Sequence, residues 1–318
     1  MKVQAIIPAF NAEKTIDKCL SSIVNQTYDD WETIVVDDGS TDKTFSLCEK
    51  YAQFDSRIKV IHQKNSGAGI ARNTGLKYIN HNGYVVFVDA DDYIEKDYFE
   101  SLSYHSEDLV FIDVKRIDQN HSFVESIYKY RHLKKETLLQ YQMTGRIPWG
   151  GVRKAVKANV ILNNNILYSS HMVGEESIYS FMVLYFSSSV GFISHPLYNY
   201  IIHNDSLSHS QLDDPWGEVA INLRGKLLSL DLYDKFAKTL NAFLLVSMAA
   251  SLFRMSLKYN GKVFKQKAIQ RCKNANEEID KKYNVDYKSI ALKPKIVIFL
   301  AKMKMYGFIR LLSRLINK

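Results

Sequence analysis

The first 115 residues alternate between short apolar segments and segments whose apolar residues recur with helical spacing. The apolar segments are rich in Val and Ile and do not alternate with polar residues, which is typical of buried strands. They lie at Val3–Ile7, Thr33–Val36, Ile58–Ile61, Tyr84–Val88 and Leu109–Val114. The helix between the first two has apolar residues at i, i+4, i+7 and i+8: Ile16, Leu20, Ile23 and Val24. Strands that alternate with helices predict an α/β fold with βαβ units and a mostly parallel sheet.

The pattern changes twice further along the chain. Residues 115–210 are less regular, with helices predicted at 134–143, near 155–163 and at 175–187. From about residue 212 to the end the pattern is helical throughout. We therefore expect three regions, 1–115, 116–210 and 211–318, of which the last is a C-terminal helical region.

Composition and cysteine usage indicate a globular protein of the cytoplasm. The 318 residues are 46% hydrophobic and 24% charged, and the three cysteines show no metal-ligand spacing, so reduced thiols are expected. Pro8, Asn11 and Glu13 interrupt the N-terminal apolar run, which excludes a signal peptide pattern. The longest mainly apolar stretch, Ala242–Phe253, is too short to span a bilayer.

The positive charge is concentrated in the C-terminal tail. The formal net charge is +8, and no Asp or Glu follows Asp286. Eight bases do: Lys288, Lys293, Lys295, Lys302, Lys304, Arg310, Arg314 and Lys318. The remaining 34 Lys and Arg balance the 34 Asp and Glu. A neutral main body argues against a nucleic-acid groove and indicates a separate role for the tail.

Three carboxylates follow a strand in "VVFVDADDYI", residues 85–94. Asp89, Asp91 and Asp92 repel one another unless one stays protonated or a cation lies among them. Mg²⁺ and Mn²⁺ prefer carboxylate oxygen, so a metal site is one interpretation. The other is a polar turn in which Asp92 caps a helix beginning near Tyr93.

Three further motifs surround the predicted strands. In "VVDDGSTD" (35–42), helix capping accounts for Ser40 and Thr41 but not for two acids at a strand end, which could accept hydrogen bonds from a nucleobase or ribose. In "PAFNAEKT" (8–15), Asn11 is predicted as a helix N-cap with Glu13 in the first turn. "NSGAGIARN" (65–73) follows the third strand and has Arg72 where a dinucleotide fingerprint needs glycine, which excludes a dehydrogenase.

Taken together, these motifs resemble the nucleotide-binding half of family 2 inverting glycosyltransferases of the bacterial capsule, exopolysaccharide and cell-surface glycan type. The resemblance rests on "IIPAFNAEKTIDKCLSSIVNQTYDDWETIVVDDGSTD", "NSGAGIARNTGL" and "FVDADDYI", in that order and spacing, and weakens through residue 210. It implies the GT-A fold, in which 1–115 binds the nucleotide sugar and 116–210 binds the acceptor.

The resemblance also implies a role for each matching residue. Those bordering the uridine or completing the nucleotide pocket would be Pro8, Phe10, Glu13, Asp37, Asp38, Asn65 and Arg72. Asp89 and Asp91 would form the D-x-D pair that holds Mn²⁺ or Mg²⁺ on the diphosphate. Asp91 would be the direct metal ligand, with Asp92 as a second. A cation there offsets the charge that develops on the departing nucleoside diphosphate.

An inverting transfer needs one general base to take the proton of the acceptor hydroxyl. The family has an Asp base in a Gly-Glu-Asp motif, and the matching stretch here is "VGEESIYS" (173–180), with Gly174, Glu175 and Glu176. We expect Glu176 to be the base and Glu175 to be the alternative. Both acids could instead complement the helix N-terminus.

Two looser matches lie on the acceptor and diphosphate sides. Trp149 in "WGGVRK" could stack on a sugar ring or pack in a core. His203 and Ser206 in "YNYIIHNDSLSH" correspond to a loop that in the family carries groups near the diphosphate.

The predicted function is metal-dependent, inverting transfer of a hexosyl or N-acetylhexosaminyl group from a UDP-sugar to a hydroxyl of a glycan or lipid-linked oligosaccharide. A nucleotidyltransferase would need a Gly-rich, basic loop after the first strand, and "PAFNAEKT" is not one. The alternative is an inactive nucleotide-sugar-binding subunit of a polysaccharide assembly complex, which the Glu at 176 would favour.

The tail predicts one more partner. On a helix through 302–318 one face would carry Met305, Phe308, Ile309, Leu312, Leu315 and Ile316, with the bases largely outside it. This pattern predicts a helix lying on an anionic membrane surface, and hence a cytoplasmic protein peripheral at the inner face of the cell membrane. Packing of the apolar face on the protein is the alternative.

Overall fold

The computed structural model describes residues 1–169, 174–202, 213–214 and 216–316. The chain divides into two compact units. The first unit comprises Met1–Lys135 and Gly150–Ser206, and the second comprises Glu136–Trp149 and Leu207–Lys318. Residues 136–149, which the sequence analysis placed in the region 116–210, group with the C-terminal helices.

The described strands all lie in the first unit. They are β1 (Val3–Ala9), β2 (Trp31–Asp37), β3 (Ile58–His62), β4 (Tyr84–Phe87), β5 (Tyr93–Ile94), β6 (Leu109–Ile117), β7 (Ser122–Glu125), β8 (Lys154–Lys157) and β9 (Val190–Ile201). The five strands predicted from the apolar segments are β1, β2, β3, β4 and β6. The four that the pattern did not predict are short, partly polar or in the less regular region.

The described helices belong to both units. They are α1 (Ile16–Val24), α2 (Thr44–Phe54), α3 (Ala68–Leu76), α4 (Tyr98–Ser103), α5 (Lys135–Met143), α6 (Ala158–Asn163), α7 (Glu175–Phe186), α8 (Gly217–Ser229), α9 (Tyr233–Lys258), α10 (Gly261–Glu278), α11 (Leu292–Lys302) and α12 (Tyr306–Ile316). Short 3₁₀ turns lie at Tyr128–Tyr130 and Gly151–Arg153. The helices predicted at 134–143 and 175–187 are confirmed as α5 and α7. The segment 155–163 is a strand followed by a helix.

The sheet has the order β3-β2-β1-β4-β8-β6-β9-β5, with β7 paired to β6. Strands β1 to β4 pair in parallel, as the alternating pattern predicts. The second half is mixed: β8 runs antiparallel to β4 and β6, and β9 runs parallel to β6. The parallel half has its strand ends on one edge, where the sequence places the acidic motifs.

The core of the first unit is built from the apolar strands and one face of α1. Ile16, Leu20 and Ile23 are fully buried against β1, β2 and β4. The predicted helical spacing thus identifies the buried face of α1. Burial of such side chains stabilises the fold by about 1.5–3 kcal/mol each.

Two local predictions are wrong. Asn11 is not a helix N-cap, because α1 begins at Ile16 and Asn11 has a left-handed backbone with φ 47°. No helix begins near Tyr93, because Tyr93 and Ile94 form β5 and pair antiparallel with β9. In both cases contacts with distant segments replace the local structure that the sequence favours.

The second unit is helical among its described residues. Its core is lined by α9, α10, α11 and α12, including Leu252, Phe264, Ala268, Ile298 and Ile309, each at most 2% exposed. By length and composition alone, α9 could cross a membrane. However, 72% of the apolar 18-residue stretch that gives it this property is buried inside the structure. Its apolar side chains therefore have partners within the protein.

The helix predicted through 302–318 is observed as α12, and α11 precedes it. Chain direction changes between α11 and α12 at Lys304, whose φ is 57°. Ile309, predicted on an exposed apolar face, is fully buried, and Leu312 packs against the same core. The exposed apolar face of α12 therefore differs from the predicted one. Its exposed apolar side chains are Phe308, Leu311, Leu315 and Ile316.

Candidate functional site

The carboxyl ends of β1, β2 and β4 form one edge of the parallel half of the sheet. Ala9 is the register partner of Asp37, and Ile6 is the partner of Phe87. Phe10 and Asp38 follow β1 and β2 directly, and Asp89 lies two positions after β4, so all three residues lie at the same edge. Ligands of parallel α/β sheets bind at such an edge.

Asp38 holds the segment 63–67 in place over the end of β2. Its Oδ1 accepts hydrogen bonds from Gln63 Nε2 (2.7 Å) and Ser66 N (2.9 Å), and its Oδ2 accepts one from Gly67 N (2.7 Å). Asp38 is 3% exposed, whereas Asn65 in the same segment is exposed. Asp38 thus positions the loop that carries Asn65.

Asp37 supports the same turn from inside the protein. Its Oδ2 accepts from Ser40 N (3.3 Å) and lies 2.7 Å from His62 Nδ1 on β3. Gly39 has φ 75°, and a Cβ there would lie 2.7 Å from Asn65 N. Glycine is required because both the left-handed backbone and the close approach exclude a side chain.

Asn11 and Glu13 tie the β1–α1 loop to the β2–α2 loop. Asn11 Oδ1 accepts from Thr41 N at 2.8 Å, and Glu13 Oε2 accepts from Lys43 N at 3.2 Å. Pro8 is half-buried beneath this junction, and Phe10 is 49% exposed. An exposed aromatic ring beside two braced loops is a surface on which a flat nucleobase could stack.

Arg72 and Asp89 form an ion pair at the end of β4. Arg72 Nη2 lies 2.7 Å from Asp89 Oδ1, and Arg72 is only 5% exposed. The guanidinium carbon is 5.2 Å from the centre of the Tyr168 ring. Arg72 therefore offsets one of the three clustered acidic charges.

Asp92 is buried and engaged inside the protein. Its Oδ2 accepts from the Tyr198 hydroxyl (2.7 Å) and its Oδ1 accepts from Ile201 N (2.7 Å). The same Tyr198 hydroxyl accepts from Asp89 N at 3.0 Å. Burial, together with the charges of Asp89 and Asp91, raises the pKa of Asp92 to about 8. Asp92 and Tyr198 thus brace the acidic turn against β9.

The residues present fit a divalent cation held jointly with a diphosphate. Asp91 is exposed at the strand end, and Asp89 is partly exposed beside it. Within the described ranges no three His, Cys, Asp or Glu side chains are arranged to hold a metal. Mg²⁺ in nucleotide sites is bound by one or two carboxylates, with phosphate oxygens and water completing the shell. Asp91, with Asp89, would be its protein ligand.

Glu176 lies in the first turn of α7 with its carboxylate held by backbone. Its Oε1 accepts a hydrogen bond of 2.8 Å from Gly151 N. A carboxylate fixed by one N–H keeps its second oxygen for another partner, as a general base requires. Glu175 opens the same helix, and its side chain lies outside the described part of the chain.

Tyr168 lies near both the Arg72–Asp89 pair and Glu176. Its ring stacks on Tyr179 with centroids 4.2 Å apart, and Arg72 lies over it. A Cβ on Gly151 would lie 2.2 Å from the Tyr168 hydroxyl oxygen and 3.5 Å from Glu176 Oε1. Both Glu176 and Asp89 contribute to raising the pKa of Tyr168, after burial as the main cause. Glu176 and Asp89 therefore border one aromatic cluster.

Sequence reasoning missed Tyr168, Tyr198 and Lys154. Lys154 is 1% exposed, and its Nζ donates to Gly150 O (2.8 Å) and Ser180 Oγ (3.1 Å). A lysine next to an apolar strand segment was the available signal, because charged side chains are rarely buried without a specific partner.

The remaining predicted residues lie in the second unit or outside the described part of the chain. Trp149 belongs to the second unit, where its ring centroid lies 6.2 Å from that of Phe243 in an edge-to-face arrangement. His203 and Ser206 lie outside the described residues.

The chain is similar to several curated bacterial proteins. It is 32% identical over 231 residues to glycosyltransferase GlyA of Streptococcus pneumoniae, covering 65% of this chain and 31% of that protein. It is 31% identical over 216 residues to the putative glycosyltransferase EpsH of Bacillus subtilis, covering 64% and 62%. The match thus spans less than two thirds of either relative.

Solved structures show the same fold. Residues 1–349 of S. aureus TarS, in complex with UDP-GlcNAc, superpose with a TM-score of 0.73 at 22% identity, covering 99% of this chain and 91% of that one. This likeness confirms the predicted GT-A fold. The family profile described as Glycosyl transferase family 2 matches residues 4–162, half of the chain. The chain belongs to glycosyl transferase family 2.

Proposed function

We propose that this chain is an inverting, metal-dependent glycosyltransferase that moves a sugar from a UDP-sugar to a hydroxyl of a glycan or lipid-linked oligosaccharide. One observation carries the proposal: Tyr168 borders both the Arg72–Asp89 pair and the carboxylate of Glu176. A transferase needs a group that binds the donor diphosphate close to a group that activates the acceptor. The Arg72–Asp89 pair would serve the first purpose and Glu176 the second.

The donor would lie along the carboxyl ends of β1, β2 and β4. Phe10 offers an exposed ring, and Asp38 holds the loop that carries Asn65. Backbone groups of these braced loops would read the uracil and ribose by hydrogen bonds. That solved TarS structures hold UDP-GlcNAc or UDP supports a UDP-sugar as the donor.

Asp91 and Asp89 would hold Mn²⁺ or Mg²⁺ on the diphosphate. When bound, the cation neutralises charge on the leaving nucleoside diphosphate. Arg72 orients Asp89 through its 2.7 Å ion pair, and Asp92 fixes the turn through Tyr198. The protein thus supplies a preformed site, so little reorganisation is needed as the bond to the sugar breaks.

Glu176 would take the proton from the acceptor hydroxyl. The hydrogen bond from Gly151 N holds one carboxylate oxygen, and the other would face the acceptor. Attack on the sugar carbon from the side opposite the diphosphate inverts its configuration, and a single base is enough for this mechanism. Glu175 is the neighbouring alternative.

We also propose that the chain works at an anionic membrane surface, where a lipid-linked acceptor is found. Support comes from the acid-free tail and from Phe308, Leu311 and Leu315 of α12, which are 57%, 56% and 65% exposed. Exposed apolar side chains among bases favour adsorption to anionic lipid.

The experiment is a UDP-release assay with a panel of UDP-sugars and Mn²⁺, with and without glycan and lipid-linked acceptors. We expect UDP release that depends on acceptor and is lost with EDTA. A protein that binds a UDP-sugar in calorimetry yet releases no UDP with any acceptor would instead be a nucleotide-sugar-binding subunit.

A further inference from the structure

A single peptide group joins Lys154 to Glu176. Lys154 Nζ donates to the carbonyl oxygen of Gly150 at 2.8 Å, and Gly151 N donates to Glu176 Oε1 at 2.8 Å. The C=O of Gly150 and the N–H of Gly151 belong to the same amide. An ammonium on the oxygen polarises that amide and strengthens the hydrogen bond that its N–H donates.

Lys154 also reaches the helix that carries Glu176. Its Nζ donates to Ser180 Oγ at 3.1 Å, and Ser180 lies one turn after Glu176 in α7. Lys154 therefore contacts both supports of the carboxylate, the Gly150–Gly151 peptide below it and the helix from which it projects. Loss of this side chain would loosen both at once.

The position of the charge is unusual for a lysine. Lys154 is 1% exposed, and burial lowers its pKa to about 7, although the negative charge of Glu176 acts in the opposite direction. A buried charge costs free energy unless it is paired and hydrogen-bonded. Glu176 is the acidic group that favours the charged form of Lys154.

The peptide lies directly against the carboxylate because residue 151 has no side chain. A Cβ there would lie 2.2 Å from the Tyr168 hydroxyl and 3.5 Å from Glu176 Oε1. The titratable groups that act on or respond to Glu176 in the described chain are Lys154 and Arg153 beside this turn, Tyr168 after α6, and Tyr179 on α7. Arg153 forms its ion pair with Glu125, so Lys154 is the base whose hydrogen bonds lead to Glu176.

We propose that Lys154 is a positioning residue for the catalytic carboxylate, acting through the Gly150–Gly151 peptide to hold Glu176 in place and aimed at the acceptor hydroxyl. The inference rests on the proposed role of Glu176. It extends that role by assigning the control of the base to a residue on β8 rather than to its own helix.

The test compares Lys154→Met, which removes charge and donors at similar length, with Lys157→Met as the matched control. Lys157 is on the same strand and pairs with Asp108. In Lys154→Met we expect UDP–Mn²⁺ affinity within about twofold of the parent and kcat lower by about tenfold or more.

Lys154→Arg keeps the charge and the hydrogen-bond donors and should retain most of the parent kcat, and Lys157→Met should match the parent in every measurement. A folded Lys154→Met protein with parent kcat overturns the proposal. If this variant does not fold, Lys154→Gln, which retains N–H donors without the charge, takes its place. Failure of both to fold would give Lys154 a structural role only and equally overturn the proposal.

The outcome is separable from that of the proposed function. If Glu176→Gln retains parent turnover, Glu176 is not the base and the proposed mechanism fails. If Glu176→Gln abolishes turnover while Lys154→Met does not alter it, only the inference on Lys154 fails.

Discussion

Arg72 and Asp89 are 17 positions apart in the chain, and their side chains meet at 2.7 Å. The pair joins α3 to the end of β4, the place where the nucleotide diphosphate is proposed to bind. Arg72 is 5% exposed, so the pair is largely shielded from water. A buried ion pair is costly to break because the remaining charge loses its partner.

Arg72→Met should therefore weaken UDP binding by about tenfold or more, which corresponds to about 1.4 kcal/mol. Isothermal titration with UDP and Mn²⁺ measures the effect. The matched control is Arg57→Met, which removes a partly exposed arginine paired with Asp55. Equal UDP affinities in both variants would contradict a role for Arg72 in the donor site.

Asp91→Asn should abolish Mn²⁺-dependent UDP binding and sugar transfer, because the amide oxygen lacks the charge that a hard cation requires. The fold should persist, since Asp91 is exposed. Calorimetry with and without Mn²⁺ gives the answer. Asp29→Asn, at a side chain that is 99% exposed, serves as the control. Parent Mn²⁺-dependent affinity in Asp91→Asn would remove this residue from the metal site.

Glu176→Gln is nearly isosteric and should lower kcat by roughly two to four orders of magnitude while donor affinity stays unchanged. The amide can still accept from Gly151 N but cannot take a proton. Steady-state kinetics on Glu176→Gln and Glu175→Gln separate the two candidates. Near-normal turnover in the first and loss in the second would reassign the base to Glu175.

Asp213 should stabilise the second unit in a pH-dependent way. Partial burial alone would raise the pKa of Asp213. Hydrogen bonds from Lys267, Tyr259 and Lys258 outweigh this effect and lower the pKa to about 2. A carboxyl whose folded pKa is depressed contributes stability above its ordinary value of 3.8, and this contribution is lost as the pH falls toward 2.

Asp213→Asn should thus lower the free energy of unfolding by about 1 kcal/mol at pH 6, a value reduced for solvent screening, and by less at pH 3. Urea unfolding at both pH values measures it. Glu277→Gln, whose side chain is 66% exposed, is the control in the same unit. An equal loss at both pH values would show that the charge of Asp213 is not the cause.

The double variant Phe308→Ser, Leu311→Ser should reduce sedimentation with anionic liposomes severalfold at low salt, because each removed apolar side chain forfeits about 1.5–3 kcal/mol of burial in lipid. The control is Phe54→Ser, which removes a ring of the first unit that is 91% exposed. This variant should sediment with the liposomes as the parent does. Point variants are preferable to deleting 294–318, since that deletion would remove Ile298 and Ile309 from the core. Unchanged sedimentation of the double variant would rule out this face as the membrane contact.

The sequence alone determined the α/β architecture and the edge of the sheet at which the acids meet. Short β-branched runs such as Val85–Val88 favour buried strands, and helices between them favour parallel pairing. Parallel pairing then brings the strand ends at Asp38 and Asp89 to one edge. These conclusions follow from local periodicity and covalent connection, which a sequence displays directly.

The tertiary structure decided how those acids and their partners are arranged. Asn11 and Glu13 looked like helix-terminal residues but bind a loop about 30 positions away. Asp92 is held by Tyr198, 106 positions later in the chain, and Lys154 reaches Glu176 only through the Gly150–Gly151 peptide. Such contacts depend on which segments the folded chain brings together, and because they have no period or fixed spacing, only the packed structure can reveal them.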